Sequence, residues 1–214
     1  MIEVTSEYTR EDLLEGISAW DKTDGDLTSQ VVFSSPSRFI EKGVCSLTYV
    51  VFDSSDQSAS LTRKVKFTDY HSPRFTLSQP LVFVEGEGSN QEVLDRIGAE
   101  DILDGSRKEW IVQKESDANY QFSGVYSITV EVENSFGDTS SESLPIHVVS
   151  ASSQQVRIDL SEKIVYVSVG QELNPASYIS GVRASNGERI DPAEVSVSSG
   201  VNSNVPGSAV KNKF

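Results

Sequence analysis

The internal repeat of this chain constrains its fold more than any other feature of the sequence. Glycine-bearing turns recur at nearly equal spacing, at Gly25, Gly105 and Gly187. A second glycine follows each turn at a nearly constant offset, and these are Gly43, Gly124 and Gly207. In the first two copies an apolar strand then follows the second glycine at the same offset. Landmarks in this register predict a tandem array of one small module of about 80 residues, not a single large core.

The register of the repeat also predicts where the modules begin and end. We expect three modules, at residues 1–71, 72–150 and 154–214. Counting back from Gly25 by the spacing of the second module passes Met1, so the first module is expected to lack its first strand. Phe214 follows the last landmark glycine by only seven residues, so the third module is expected to lack its last strands.

Alternation with a period of two indicates the structure of each module. Residues 126–133 place polar side chains between apolar ones, which is the pattern of a half-buried antiparallel strand. About seven such strands per module, separated by turns, predict an all-β fold of tandem β-sandwiches. The matching strand of the first module gives the expected core residues Cys45, Leu47, Tyr49 and Val51. Short helical segments are expected to begin at Thr9, Asn90 and Asn174, which are helix-capping residue types.

The charge of the chain excludes two classes of partner. Lys and Arg total 18 against 32 Asp and Glu, which gives a net charge of -14. Such a surface repels nucleic acid and anionic lipid, so we expect neither as a main partner. No apolar run approaches the roughly 18 residues of a membrane span, so no membrane insertion is expected. Cys45 is the only cysteine, and its place on an alternating strand predicts a buried, unreactive thiol.

Two stretches of the first module carry a family resemblance. They are AWDKTDGDLTS and EKGVCSLTYVVFDSSD, and the second module has FSGVYSITVEVENSFGD at the matching place. These resemble the bacterial immunoglobulin-like modules that occur in tandem on surface proteins. That type has an A-x-D-x-x-D-G-D turn and is also found at the end of insecticidal crystal proteins. This chain departs from the family pattern at Cys45, where the family carries tyrosine, and at Asp56, where it carries glycine.

The resemblance implies tandem immunoglobulin-like β-sandwiches in an extracellular or cell-surface setting. It also implies a non-catalytic role, in which the repeats act as a spacer or stalk that presents flanking domains of a longer protein. Two alternatives stay open. One is an adhesin that binds a glycan or a host or matrix protein, and the other is a calcium-stiffened, cadherin-like array. No G-x-S-x-G motif occurs, so the sequence gives no support to a serine hydrolase.

The acidic turn of the first module is the main candidate site. Asp21, Asp24 and Asp26 surround Gly25, and calcium prefers several carboxylate oxygens on one loop. The EF-hand template fails, because setting Gly25 at its sixth position places Trp20 at the first and Lys22 at the third. We therefore interpret the segment as a tight turn whose aspartates cap backbone N–H groups. Calcium at these three aspartates is the alternative prediction, and a catalytic acid pair has little support.

The two tryptophans, Trp20 and Trp110, are expected to pack on the core or lie as lids over it. A stacking platform for a sugar is the alternative, and it requires an exposed ring. The two histidines, His71 and His147, have no partner at the spacing of metal ligands.

Overall fold

The computed structural model describes residues 1–152, 156–197 and 200–207. Strands dominate these residues and helices are few and short, so the predicted all-β class is confirmed. The beginning of the predicted third module at residue 154 and its end at residues 208–214 lie outside the described residues.

Two compact units make up the chain. The first contains Met1–Arg74 together with Glu100–Arg107 and Val132–Ser140, and the second contains Phe75–Ala99, Lys108–Glu131 and the remaining residues from Ser141. These units do not follow the three modules expected from the repeat, whose bounds stay a prediction.

The elements up to Phe67 are short except for two long strands. They are β1 (Ile2–Val4), α1 (Arg10–Leu14), β2 (Trp20–Asp21), β3 (Gly25–Asp26), a 3-10 turn (Thr28–Gln30), β4 (Val32–Phe33), β5 (Val44–Phe52) and β6 (Ser58–Phe67).

The elements that follow, up to Val149, repeat much of that order. They are β7 (Arg74–Leu77), β8 (Val82–Val84), α2 (Asn90–Arg96), β9 (Ile97–Asp101), β10 (Gly105–Ser106), a 3-10 turn (Lys108–Trp110), β11 (Val112–Ser116), β12 (Gly124–Glu133) and β13 (Thr139–Val149). The last part contains β14 (Arg157–Leu160), a 3-10 turn (Pro175–Tyr178), β15 (Ile179–Arg183), β16 (Arg189–Ile190) and a 3-10 turn (Pro192–Glu194).

The sheets show the same arrangement twice. One four-stranded sheet has the order β1-β6-β5-β4 and another has the order β11-β12-β13-β8. In both, the short first strand pairs in parallel with the long last one, as Ile2 does with Val65 and Val82 with His147. Three-stranded sheets have the orders β10-β9-β7 and β14-β15-β16, and β2 pairs with β3 alone among the described residues. One and the same offset separates the first residues of β1 and β8, of α1 and α2, and of β5 and β12.

The core of the first unit grows from the inward face of β5. Its buried residues are Val4, Leu13, Val31, Cys45, Leu47, Tyr49, Val65 and Phe67. Three of the four residues expected from the alternation are therefore buried, and Val51 is packed against them but only partly buried. Burial also raises the pKa of the Cys45 thiol, which keeps it protonated and agrees with the prediction of an unreactive cysteine.

Capping residues explain where the short helices start. Thr9 accepts a hydrogen bond from the backbone N–H of Asp12, whose carboxylate accepts one from Thr9 N, so the predicted cap of α1 is confirmed. Asn174 also caps its 3-10 turn as expected. The prediction for α2 is wrong by one residue, because Ser89 is the cap and its hydroxyl accepts from Glu92 N at 3.2 Å. Asn90 is instead the first helical residue.

An aromatic cluster in the first unit includes a residue from the hairpin between β12 and β13. Phe136 stacks on Phe39 with ring centroids 4.8 Å apart and meets Phe67 edge-on at 6.0 Å. Phe39 also packs edge-on against Tyr70 at 4.7 Å, and its backbone N–H donates to the carbonyl of Phe136 at 2.8 Å. The tip of this hairpin is thus part of the same apolar cluster as the ends of β5 and β6.

We predict that Phe136→Ala lowers the free energy of unfolding by about 2–3 kcal/mol, because it removes a ring from this aromatic cluster. Chemical denaturation followed by circular dichroism measures the change. Phe122→Ala is the matched control, because Phe122 is 65% exposed and its loss is expected to change stability by at most about 0.5 kcal/mol. Equal effects of the two substitutions would contradict the structural role of Phe136.

Candidate functional site

The first acidic turn is held by hydrogen bonds from its own backbone. The Oδ1 of Asp21 accepts from the backbone N–H groups of Thr23 at 2.6 Å and Asp24 at 2.9 Å. The Oδ1 of Asp26 accepts from Thr28 N at 2.9 Å. The backbone N–H groups of Asp24 and Thr23 stabilise the ionised form of Asp21 and lower its pKa below the usual range. The side chain of Thr28, followed by its backbone N–H, lowers the pKa of Asp26 in the same way.

Asp24 has a different role, because it reaches another segment. Its two carboxylate oxygens accept from the backbone N–H and the hydroxyl of Ser54, both at 2.8 Å. Ser54 lies in the hairpin between β5 and β6, so Asp24 fastens the acidic turn to that hairpin. The sequence analysis missed Ser54 as a partner of the turn.

The second acidic turn makes the same two kinds of contact, one within the turn and one to a hairpin. Asp101 Oδ1 accepts from the backbone N–H groups of Leu103 and Asp104 at 2.9 and 3.0 Å. Asp104 accepts from Ser135 N at 2.6 Å and from its hydroxyl at 2.7 Å. Ser54 and Ser135 each follow the first residue of their hairpin turn, and this shared position is the signal that would have identified them from the sequence.

The three predicted metal ligands are therefore close in sequence but bonded to different protein groups. In the described part of the chain, no group of three or more His, Cys, Asp or Glu side chains is placed to hold a metal ion. Asp69, a further possible ligand, accepts instead from the backbone N–H and hydroxyl of Ser6. These contacts favour the interpretation as a turn, and calcium binding at Asp21, Asp24 and Asp26 stays a prediction.

A buried polar network centres on Asn134 in the first unit. Asn134 is 3% exposed and Asp101 is 4% exposed, and these two are the buried polar residues of the described chain. The Asn134 side-chain amide donates to Asp101 Oδ2 at 3.1 Å and to the hydroxyl of Tyr70 at 2.9 Å. Its Oδ1 accepts from the backbone N–H groups of Phe136 and Asp138 at 3.1 and 2.9 Å.

Asp138 extends this network to the segment that follows β6. Its Oδ2 accepts from the hydroxyls of Tyr70 at 2.7 Å and Ser72 at 2.6 Å. Burial, then the hydrogen bond to Asp138, holds the pKa of Tyr70 well above its usual value, so the phenol stays a proton donor. The polar groups named here are satisfied by one another, which is the condition for burying them without a large cost.

The hairpin between β5 and β6 carries Asp53 where the hairpin between β12 and β13 has Asn134. Asp53 Oδ1 accepts from the backbone N–H groups of Ser55 and Gln57, both at 2.8 Å. The turn itself therefore accepts either a carboxylate or an amide. At position 134 only the amide also donates, which lets it approach Asp101 without bringing a second buried negative charge.

The expectation that both tryptophans pack on the core or cover it is wrong. Trp20 is 78% exposed and Trp110 is 62% exposed. Trp20 lies on the two-stranded β2–β3 ribbon, where it is paired with the exposed residue Asp26. The exposed ring that a stacking platform for a sugar requires is therefore present.

Comparisons with known proteins find partial similarities of low sequence identity for this chain. No protein-family model matches it. It is 26% identical over 154 residues to the pesticidal crystal protein Cry22Aa of Bacillus thuringiensis, and the match covers 69% of this chain and 21% of that protein. The chain therefore spans about a fifth of the length of this relative. Among the described residues, no helix has the length and apolarity that crossing a membrane requires.

Two solved structures from Clostridium perfringens are similar in part. One contains CBM51-2 in complex with GlcNAc and the INT domains of ZmpB; it has a TM-score of 0.31 and 21% identity, and the match covers 52% of this chain and 27% of that one. The other contains the M60 catalytic domain with CBM51-1 and CBM51-2 of ZmpB, with a TM-score of 0.31, 14% identity, and 87% and 33% coverage. At these values neither structure carries its function over to this chain.

We predict that Asn134→Asp lowers the free energy of unfolding by about 3 kcal/mol at neutral pH, because it places an unpaired carboxylate beside Asp101. The new carboxyl is expected to have a raised pKa in the folded state, since like charge and burial both oppose its ionisation. The folded variant then binds more protons than the unfolded chain, so the loss of stability shrinks as the pH falls. Denaturation of variant and native protein across the acidic range measures this trend.

Asp53→Asn is the matched control for that substitution. The amide oxygen accepts the same two backbone N–H groups, so the expected change is at most about 0.5 kcal/mol and independent of pH. A loss in Asn134→Asp that stays constant with pH would contradict the proposed burial of the network.

We predict that Asp24→Ala lowers stability by about 1 kcal/mol, because the hydrogen bonds to Ser54 are lost. Thermal melting in the presence of calcium and in the presence of a chelator measures the change. The same loss in both solutions is expected for a structural turn. A calcium-dependent rise in the melting temperature that Asp21→Asn with Asp24→Asn abolishes would instead establish the metal site.

Proposed function

We propose that this chain is a non-catalytic, extracellular region of a longer bacterial protein, in which immunoglobulin-like modules form a stiff spacer that presents flanking domains. The observation that carries the proposal is the composition of the first unit. The acidic turn and hairpin of the second module belong to the same compact unit as residues 1–74. A spacer made of freely hinged modules would not share a core across their junction.

Apolar packing is the first contribution to this junction. Phe136 packs against both Phe39 and Phe67, and Leu103 from the second acidic turn packs against the same cluster. Aromatic pairs of this kind contribute about 0.5–1.5 kcal/mol each beyond their burial. Arg38 also pairs with Glu133, although both side chains are largely exposed and the ion pair is expected to add little.

Hydrogen bonds hold the segment between the two modules. Asp69 accepts from Ser6, Tyr70 and Ser72 donate to Asp138, and the carbonyl of Pro73 accepts from the hydroxyl of Ser140 at 2.6 Å. Four of five consecutive residues are thus bonded to other parts of the first unit. A flexible linker exposes its backbone and makes few contacts, whereas this segment is ordered by its neighbours.

The relative supports the setting of this proposal. A pesticidal crystal protein of Bacillus thuringiensis matches most of this chain, but the match covers only a fifth of that protein, as expected for one region of a longer chain. The net charge of -14 favours solubility and keeps neighbouring copies apart. An adhesive role is a second candidate, which the exposed ring of Trp20 favours.

Distances between two spin labels test the stiffness of the junction. Ser60 and Thr139 are exposed strand residues of the first unit, one from each module, and Ser60→Cys with Thr139→Cys provides the labelling sites. Cys45 is fully buried and is expected not to react. Pulsed electron paramagnetic resonance is expected to give one narrow distance distribution, because the junction is packed and hydrogen-bonded.

Adding Phe136→Ala to the labelled protein is expected to broaden the distribution, whereas Phe122→Ala is expected to leave it unchanged. A broad distribution in the labelled protein without further substitutions would show a hinged chain and would overturn the spacer proposal.

A further inference from the structure

The indole ring of Trp20 forms an exposed platform beside a fixed carboxylate. Trp20 pairs with Asp26 across β2 and β3, and directly opposed residues of an antiparallel pair project to the same face. A side-chain carbon built at Gly25 would lie 3.9 Å from Cη2 of the ring, so the indole passes over the tip of the ribbon. With Trp20 78% exposed, much of the ring is left to solvent.

The same position in the second module shows that this face is a solvent face of the fold. Glu100 pairs with Ser106 there, and both are exposed although β7 completes a three-stranded sheet beside β9. Trp20 is therefore not exposed merely because the β2–β3 sheet has two strands instead of three. An indole at a position that the fold turns to solvent gains little burial, so most of its apolar face stays available for stacking against a ligand.

We propose that Trp20 and Asp26 bind a pyranose ring of an uncharged glycan. The apolar C–H face of the sugar stacks on the indole, and the Asp26 carboxylate accepts hydrogen bonds from sugar hydroxyls. Thr28 N already donates to Asp26 Oδ1, which fixes the carboxylate, and an ionised carboxylate retains further lone pairs for a ligand. This binding activity goes beyond the spacer proposal and does not depend on it.

Charge and size select this ligand class over others. Asp21, Asp24 and Asp26 outnumber Lys22 in the turn, so uronic acids, sialic acids and nucleic acid are repelled. A stable protein interface buries about 800 Å² on each partner, with several apolar residues around its anchor. The ribbon offers one ring with acidic neighbours, which fits a single sugar ring better than a protein surface.

The chain supplies its own controls for a binding experiment. Trp20→Ala removes the platform, and Trp20→Glu and Asp26→Ser install the residue types that the second module carries at these positions. Trp110→Ala removes the other exposed tryptophan, which lies on the 3-10 turn Lys108–Trp110 and has no part in the proposal. Because both rings are exposed, these variants are expected to fold, and melting curves check this.

Isothermal titration of the whole chain uses three uncharged probes and one anionic probe. The uncharged probes are hexamers of β-1,4-linked glucose, α-1,4-linked glucose and β-1,4-linked N-acetylglucosamine, and the anionic probe is a hexamer of galacturonic acid. We expect at least one uncharged hexamer to bind with millimolar or tighter affinity, and the anionic hexamer to bind more weakly than that one.

Trp20→Ala and Trp20→Glu are expected to weaken that binding by about tenfold or more, and Asp26→Ser by about threefold, while Trp110→Ala leaves it unchanged. Absence of binding to all three uncharged hexamers at millimolar concentrations, or equal binding by the Trp20 variants, would overturn the proposal. Neither result changes the spin-label distances, so the two experiments test the glycan proposal and the spacer proposal independently.

Discussion

Hydrogen bonds from backbone N–H groups to short acidic and amide side chains hold the turns on which the first unit depends. Asp21, Asp101 and Asn134 each accept two such bonds, and Asp101 and Asn134 are themselves buried. Tight turns expose N–H groups that strands cannot satisfy, and burying them unpaired would cost about 1–3 kcal/mol each. The Asn134 amide also donates to Asp101 and Tyr70, so this side chain stabilises both its own turn and the tertiary structure.

At position 134 an amide, not a carboxylate, lets the side chain be buried next to the buried carboxylate of Asp101. Asp53 serves a hairpin that faces solvent, whereas Asn134 serves one whose side chain also meets Asp101 and Tyr70. An amide both accepts and donates, so it links two acceptors without adding charge. The outcome is a junction in which apolar packing by Phe136 and a satisfied polar network reinforce each other. This combination gives the spacer proposal its physical basis, because neither part alone would fix the segment after β6.

Much of the fold was predictable because it depends on patterns within a few residues. The alternation along β5 identified Cys45, Leu47 and Tyr49 as core, and Thr9 was recognised as a helix cap. The position of the acidic turn was also predictable, since Asp before Gly favours a tight turn. The partner of that turn was missed because Ser54 lies 30 residues from Asp24, and the position that Ser54 shares with Ser135 becomes informative only when the two hairpins are aligned. The exposure of Trp20 was missed because a large aromatic ring is expected to be at least partly buried.

The sequence by itself determined the all-β class, the regular spacing at which elements recur, and the acidic surface, because periodicity, turn residues and charge act locally or in sum. Only the tertiary structure decided which polar side chains are buried and which aromatic ring faces solvent. Tyr70 meets Asn134 and Asp138 across 64 and 68 residues of chain. Contacts at that separation depend on how whole elements pack, and no short stretch of sequence contains that information.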